Sequence, residues 1–198
     1  MPRDTLAEVS DDALLVLYAN GDPDAARRLT LRLAPRALAY AGRLLGDRAE
    51  AEDVVQDALL RLWRMAPNWR PGEAQVSTWL YRVVSNLCID RKRAAMRRPA
   101  SALADAPEVA SGSPDAAAQM MQAQRMAALE EALQALPERQ RQAVLLRHVE
   151  GLSNPEIAAI LEVGVEAVES LTARGKRALA AALSGRRDAL GYADEAEV

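Results

Sequence analysis

Arg82, Asn86, Asp90 and Arg93 follow one another at intervals of four, four and three residues, which places them on one face of a helix. Amide and guanidinium groups on one face can hydrogen-bond base edges and phosphates, and Arg97 and Arg98 extend the positive field beyond them. Just upstream, the stretch from Met65 to Val76 holds Pro67, Pro71 and Gly72 and reads as a loop, with Trp63, Trp69 and Trp79 at or beside it. Bases freed from a duplex stack on aromatic faces at about 1–3 kcal/mol each, so a loop rimmed by indoles beside a basic helix suits single-stranded nucleic acid. Trp63 and Trp79 also read as core anchors, leaving Trp69 the freer ring. A second basic set lies near the other end. From Val165 to about Leu183 a helix carries Val168, Thr172 and Leu179 inward and turns Glu169, Ser170, Ala173, Arg174 and Arg177 outward. A third set is acidic: Asp53, Gln56 and Asp57, with Leu60 and Arg61, share the outer face of a helix and suit docking on a basic partner helix. Each charged run has a plainer reading as a solvated helix face.

Side chains for covalent chemistry are sparse. Cys88 is the single cysteine and His148 the single histidine. No intramolecular disulfide and no tetrahedral zinc site built from cysteine and histidine is possible. Cys88 is most simply a small apolar filler, and His148 reads as structural or surface, without a serine, cysteine or metal-ligand companion motif. Neither a GxxxxGK[ST] nor a GxGxxG phosphate-binding loop occurs. The expectation is a protein that is not an enzyme and uses no cofactor and no metal.

The elements that must position these sets are helices. Of 198 residues, half are apolar and 27 % charged, the balance of a folded globular chain; phenylalanine is absent and alanine abounds, which favours helix. No run approaches ~18 consecutive apolar residues and the N-terminus is acidic, so no membrane span or export signal is expected and a cytoplasmic location is. The net charge of −3 argues against coating nucleic acid unaided, but the charge is blocked. Acids dominate 1–24 and 47–57, whereas Arg82, Arg91, Lys92, Arg93, Arg97 and Arg98, and later Arg174, Lys176, Arg177, Arg186 and Arg187, make two basic patches. Residues 99–118, with three prolines, a glycine, three serines and three acids, read as a flexible acidic linker. The fold class expected is all-α: a helical domain over 1–98, the linker at 99–118, and a second domain over 119–198 with an acidic C-terminal tail.

Within the first domain, Ala51, Val54, Val55, Ala58, Leu59 and Leu62 form the buried stripe of the acidic helix. Ser77 is a candidate cap for the basic helix, whose stripe is Leu80, Val83, Val84 and Leu87. In the second domain Pro137 opens a helix to about Val149, closed by Gly151. Ser153 and Glu156 make a capping box for a short helix to Leu161, and Glu162-Val163-Gly164 is the turn before the outward-facing set on 165–183. That order is helix-turn-helix, here four-helix and winged-helix-like, and its second helix suits a major groove.

Glu52-Asp53-Val54-Val55-Gln56-Asp57, Ser77-Thr78-Trp79-Leu80-Tyr81-Arg82-Val83, Asn86-Leu87-Cys88-Ile89-Asp90-Arg91-Lys92-Arg93, Leu136-Pro137-Glu138-Arg139-Gln140-Arg141 and Glu150-Gly151-Leu152-Ser153 together resemble the extracytoplasmic-function sigma factors of bacterial RNA polymerase. The resemblance spans about 15–98 and 120–184. It implies an initiation factor whose first domain binds the polymerase clamp helices and opens the minus-ten element while the second reads minus-thirty-five DNA. On it, Asp53, Gln56, Asp57 and Leu60 bind core polymerase. Trp69, Arg82, Asn86, Asp90 and Arg93 meet the minus-ten strand, where a base is flipped out at a cost of a few kcal/mol. Glu169, Ser170, Ala173, Arg174 and Arg177 face the minus-thirty-five element. The acidic linker would thread the polymerase's RNA path. The partners implied are core RNA polymerase, promoter DNA and an anti-sigma factor.

The sequence departs from the family pattern at several places. Pro71 looks additional, Val76 stands where an aromatic residue is frequent, Glu162 occupies the usual turn-glycine position, Glu169 and Leu171 replace common basic residues, and Ala173 is small. Gly151 to Ala158 also resembles the helix-turn-helix of response regulators, so a regulator binding duplex DNA without polymerase is the alternative; the first half shows no alternating strands or phosphoacceptor pattern to support it. A helical adaptor without DNA contact would explain the acidic face but neither basic patch.

Overall fold

A computed structural model describes residues 9–97 and 114–186, with side chains from 119 onward in the second stretch. Arg98, most of the expected linker, Arg187 and the acidic tail lie outside the described residues. Eight α-helices and no strand occur among those described: α1 Asp11–Ala19, α2 Pro23–Leu45, α3 Arg48–Met65, α4 Val76–Arg97, α5 Pro114–Ala135, α6 Glu138–Val144, α7 Asn154–Leu161 and α8 Val165–Ser184. A 3-10 turn at Ala66–Asn68 follows α3, and α6 runs on into a π turn at Leu145–Val149.

Local chemistry explains the boundaries. Asp22 caps α2 through the Asp24 and Ala25 amides with Pro23 in the first turn, and Gly46, at φ 74°, takes the left-handed position after its end. Asp47, rather than the acids after it, caps α3 by accepting from the Glu50 amide at 3.0 Å. Ser77 is not the cap of α4: the helix begins one residue earlier at Val76, and the Gln75 carbonyl receives the Trp79 N–H at 3.1 Å. The Ser153–Glu156 capping box forms as expected. The Ser153 hydroxyl and amide both donate to the Glu156 carboxylate and hold its pKa below the usual range. α5 starts at Pro114, inside the stretch read as linker, where Ala116, Ala117 and Ala118 favour helix.

In the first half α2, α3 and α4 pack together with α1 laid across them, burying Leu14, Leu15, Leu29, Leu44, Ala51, Val54, Ala58, Leu62, Leu80 and Val84. In the second half α6, α7 and α8 bury Leu145, Leu146, Ile157, Ile160 and Val168. The halves touch: α7 packs on α4 and α5 on α2, and the buried apolar residues of both join in one cluster. The open groove between α2 and α5 is lined by Leu38, Gly42, Arg43, Ala127 and Gln134 among others.

α8 crosses α6 closely because Gly175 carries no side chain. A Cβ there would sit 2.6 Å from Val144 Cγ2 and 3.2 Å from the Gln140 carbonyl oxygen. Gly175→Ala is therefore expected to lower stability by about 1–3 kcal/mol through overpacking, checked by denaturant unfolding of the full chain.

Candidate functional site

The buried stripe of α3 sets the first surface. With Ala51, Val54, Val55, Ala58 and Leu62 inside, Glu52, Asp53, Gln56 and Leu60 are left facing water. Leu60 is 47 % exposed beside these charged and polar neighbours. Asp57 is half-buried and gripped at two points by Arg61, at 3.0 and 3.2 Å, one turn on. Arg91 of α4 reaches over to Glu50 and comes within 3.8 Å of Asp53. Residues forty apart in sequence thus edge the acidic face with a cation, which no local periodicity announces.

α4 carries two surfaces rather than one. Asn86, Asp90 and Arg93 are exposed along its free side, as the spacing predicts. Arg82, at the head of the same row, is half-buried and 3.5 Å from Glu162 in the turn between α7 and α8. Beside this row Tyr81, Ser85 and Cys88 are buried, a second stripe that the aliphatic pattern missed. The Cys88 thiol is pushed up to about 12 by burial, so it is protonated and inert.

Trp69 is not free. Its ring is half-buried against the core and its indole N–H donates to Asp12 of α1 at 3.0 Å. Trp63 packs edge-on against Tyr18, with centroids 4.9 Å apart, and Trp79 is half-buried too. Arg70, Pro71, Gly72, Glu73, Ala74 and Gln75 form an exposed loop beside them. One edge of Trp69 is therefore fixed while the loop next to it stays open to solvent.

α8 presents Glu169, Ala173, Arg174 and Arg177 as exposed side chains, with Ser170 half-exposed and Val168 fully buried beneath them. Arg174 folds back on Ser170, donating from Nε at 3.1 Å and Nη2 at 2.7 Å to one hydroxyl. Asn154 of α7 donates to Glu169 at 3.4 Å and ties the two helices of the pair. His148 lies exposed on the π turn. No group of three metal-ligating side chains occurs among the described residues, and no described helix is long and apolar enough to cross a membrane.

The joint between the halves was not foreseen. Glu150, nearly fully buried, accepts the Tyr81 hydroxyl and lies 3.3 Å from Arg36 Nε, while Arg36 Nη2 donates to the Glu150 carbonyl oxygen at 2.8 Å. Tyr40 stacks edge-on against Tyr81 at 5.3 Å and shares a hydrogen bond with Ser85 at 2.9 Å. Burial, reinforced by the Glu150 carboxylate, raises the Tyr81 pKa and keeps the phenol a donor. Nearby, buried Arg141 donates to the carbonyl oxygens of Leu44, Gln134 and Leu136, placing one cation at the C-terminal ends of α2 and α5 together. Gln134 Nε2 donates to the Arg43 carbonyl oxygen at 2.9 Å.

Comparison with known proteins matches residues 29–98 to Sigma-70 region 2 and residues 126–179 to Sigma-70 region 4. The chain is 32 % identical over 188 residues to the RNA polymerase sigma-H factor of Pseudomonas aeruginosa, covering 90 % of this chain and 96 % of that one. It is 38 % identical over 174 residues to the ECF RNA polymerase sigma factor SigM of Mycobacterium tuberculosis, covering 87 % and 84 %. Among solved structures, CnrH in complex with the cytosolic domain of CnrY superposes with a TM-score of 0.67 at 28 % identity, covering 88 % of this chain and 97 % of that one. The sigma factor RpoE bound to the anti-sigma factor NepR, from Bartonella quintana, shares the fold, with a TM-score of 0.63 at 22 % identity over 80 % of this chain and 96 % of that one.

Tyr81→Phe removes the one hydroxyl that Glu150 receives from the first half. The expected cost is about 1.5–3 kcal/mol, the range for a hydrogen bond to a charged group, measured as a shift in the denaturation midpoint at unchanged slope.

Proposed function

This chain belongs to the extracytoplasmic-function sigma factors of the sigma-70 family, and on that premise we propose that it binds core RNA polymerase and directs initiation at promoters recognised through separate minus-ten and minus-thirty-five contacts. The observation that carries this reading is the outer face of α3. Asp53, Gln56, Asp57 and Leu60 stand together on a helix whose other side buries Ala51, Val54, Val55, Ala58 and Leu62 in the core, so their presentation is enforced by the fold. An acidic rim around a 47 % exposed leucine suits a basic partner helix: the charges steer the encounter and the leucine supplies apolar burial at its centre. Residues 1–98 act as the polymerase-binding and minus-ten domain, 99–118 as the linker, and 119–198 as the minus-thirty-five domain.

Strand opening falls to α4 and the loop before it. Asn86, Asp90 and Arg93 supply donors and acceptors for an unpaired strand, Arg82 adds a cation at the upstream end, and the Trp69 ring, held by Asp12, offers a fixed surface beside the exposed loop. In the second domain Arg174 and Arg177 contact phosphate or guanine, Glu169 can accept from cytosine N4, and Ser170 and Ala173 let the helix approach closely. The protein performs no bond chemistry; nucleotidyl transfer is left to the polymerase. It works in the cytoplasm without cofactor or metal. An anti-sigma factor is the remaining partner. This rests on the relatives CnrH and RpoE, solved with CnrY and with the anti-sigma factor NepR respectively.

The test is reconstitution. Purified chain mixed with core polymerase is expected to form a stable complex and support promoter-specific transcription; a footprint on duplex DNA without polymerase would instead favour a regulator. Asp53→Ala combined with Gln56→Ala is expected to weaken core binding about tenfold or more with helicity unchanged, measured by fluorescence anisotropy against core polymerase. Asn86→Ala is expected to alter minus-ten preference or melting, read by permanganate reactivity of the open strand. Arg177→Ala, assayed in the reconstituted complex with core polymerase, is expected to lower the slope of log affinity against log salt by about 0.9 for promoter DNA carrying the minus-thirty-five element, the loss of one phosphate contact.

A further inference from the structure

We propose that Asp12 is a positioning residue for minus-ten recognition: by holding the Trp69 indole it fixes where the exposed loop 70–75 begins, so that α1, which carries none of the DNA-facing residues, tunes base preference. The proposal rests on the sigma-factor reading and adds to it a specificity-determining residue outside the DNA-facing surfaces.

The loop needs such a fixed point. Arg70 to Gln75 are all exposed, so burial does not decide where they lie. Their exit is set by Val76, 1 % exposed at the start of α4. Inside the loop, the Glu73 N–H reaches the Arg70 carbonyl oxygen at 3.4 Å and the two exposed side chains pair at 3.5 Å, links that leave the position of the loop as a whole open. The entry is Trp69. Its amide donates back to Ala66 in the 3-10 turn, and its ring is half-buried. Among the described residues, the indole N–H donated to Asp12 at 3.0 Å is the one hydrogen bond that ties 66–75 to an element other than the helices flanking it. A surface that is to hold a base must be fixed to within about 0.5 Å, and hydrogen bonds to the groups behind it supply that precision. Packing alone lets a half-buried ring slide, whereas a charge-assisted N–H bond sets its orientation.

α1 is a suitable reference for that bond. Leu14 and Leu15 are fully buried, and Tyr18 packs on Trp63. Arg32 of α2 donates to the Val9 carbonyl oxygen at 2.6 Å and pairs with Asp11 at 3.2 Å. These contacts anchor α1 without Asp12, so what the Asp12 carboxylate adds falls on Trp69. Asp12 stands in the first turn of α1, where the positive end of the helix favours a carboxylate.

The test is promoter discrimination by the full-length chain reconstituted with core polymerase. The strongest template that the wild type selects from random upstream sequence is varied one base at a time through both elements. Ratios of transcript yield are compared, because a ratio cancels any loss of active protein. Asp12→Ala is expected to change the ratio at one or more minus-ten positions roughly three- to tenfold and to leave every minus-thirty-five ratio as in the wild type. Asp12→Asn, which keeps an oxygen to accept the indole N–H, retains the wild-type ratios. Trp69→Phe keeps a ring without the N–H and shifts the same minus-ten position, and adding Asp12→Ala to it shifts nothing further. Asp11→Ala removes the same charge from the same helical turn without touching Trp69 and retains the wild-type ratios. An equal loss on every template in Asp12→Ala, a shift as large in Asp11→Ala, or additive effects of Asp12→Ala and Trp69→Phe overturns the proposal. Should Asp12→Ala lose helicity, Asp12→Ser is read by the same ratios, since it keeps a polar group at the head of α1 but is one bond shorter than the carboxylate that holds the indole. Promoter-specific transcription with unshifted minus-ten ratios rejects the positioning role alone; no promoter-specific transcription from the wild type rejects the sigma-factor reading, and the role of Asp12 with it.

Discussion

A helix with 3.6 residues per turn cannot hide an aliphatic stripe and a row of carboxylates at once, and α3 is built on that constraint. Ala51, Val54, Val55, Ala58 and Leu62 are sealed against α2 and α4, which turns Asp53, Gln56 and Leu60 outward. The reverse arrangement would bury unpaired charge at a cost of several kcal/mol, so the outer face is as secure as the core beneath it. Arg61 pairs with Asp57, and Arg91 with Glu50 and Asp53, from within the first half.

The seam between the halves is built by different chemistry. The phenols of Tyr40 and Tyr81, the Ser85 hydroxyl, the Glu150 carboxylate and the Arg36 guanidinium satisfy one another along it, and Arg141 gathers carbonyl oxygens from the ends of α2 and α5. These paired polar groups define one docking geometry beside the apolar cluster that the two halves share.

Much of this was legible in the sequence where local rules dominate. The stripe of α3, apart from the half-buried Leu59, the capping box at Ser153 and the turn at Glu162-Val163-Gly164 each depend on residues within a few positions of one another, and each appears where the spacing puts it. Long-range pairing was not legible. Tyr81, Ser85 and Cys88 are too mixed in polarity to register as a core stripe, and they are buried only because Tyr40 and Glu150 arrive from elsewhere in the chain. Trp69 read as the freer ring until Asp12, 57 positions away, took its N–H. Ser77 failed as a cap because the backbone turned helical one residue earlier.

The claim on which the account turns is that the outer face of α3 meets the polymerase, and carbodiimide footprinting of carboxylates tests it on the unmodified protein. With core polymerase bound, Asp53 is expected to become strongly protected while exposed Asp24, at the far end of the first half's sequence, keeps its free-chain reactivity. A complex that forms with Asp53 as reactive as before would place the contact elsewhere and contradict the account.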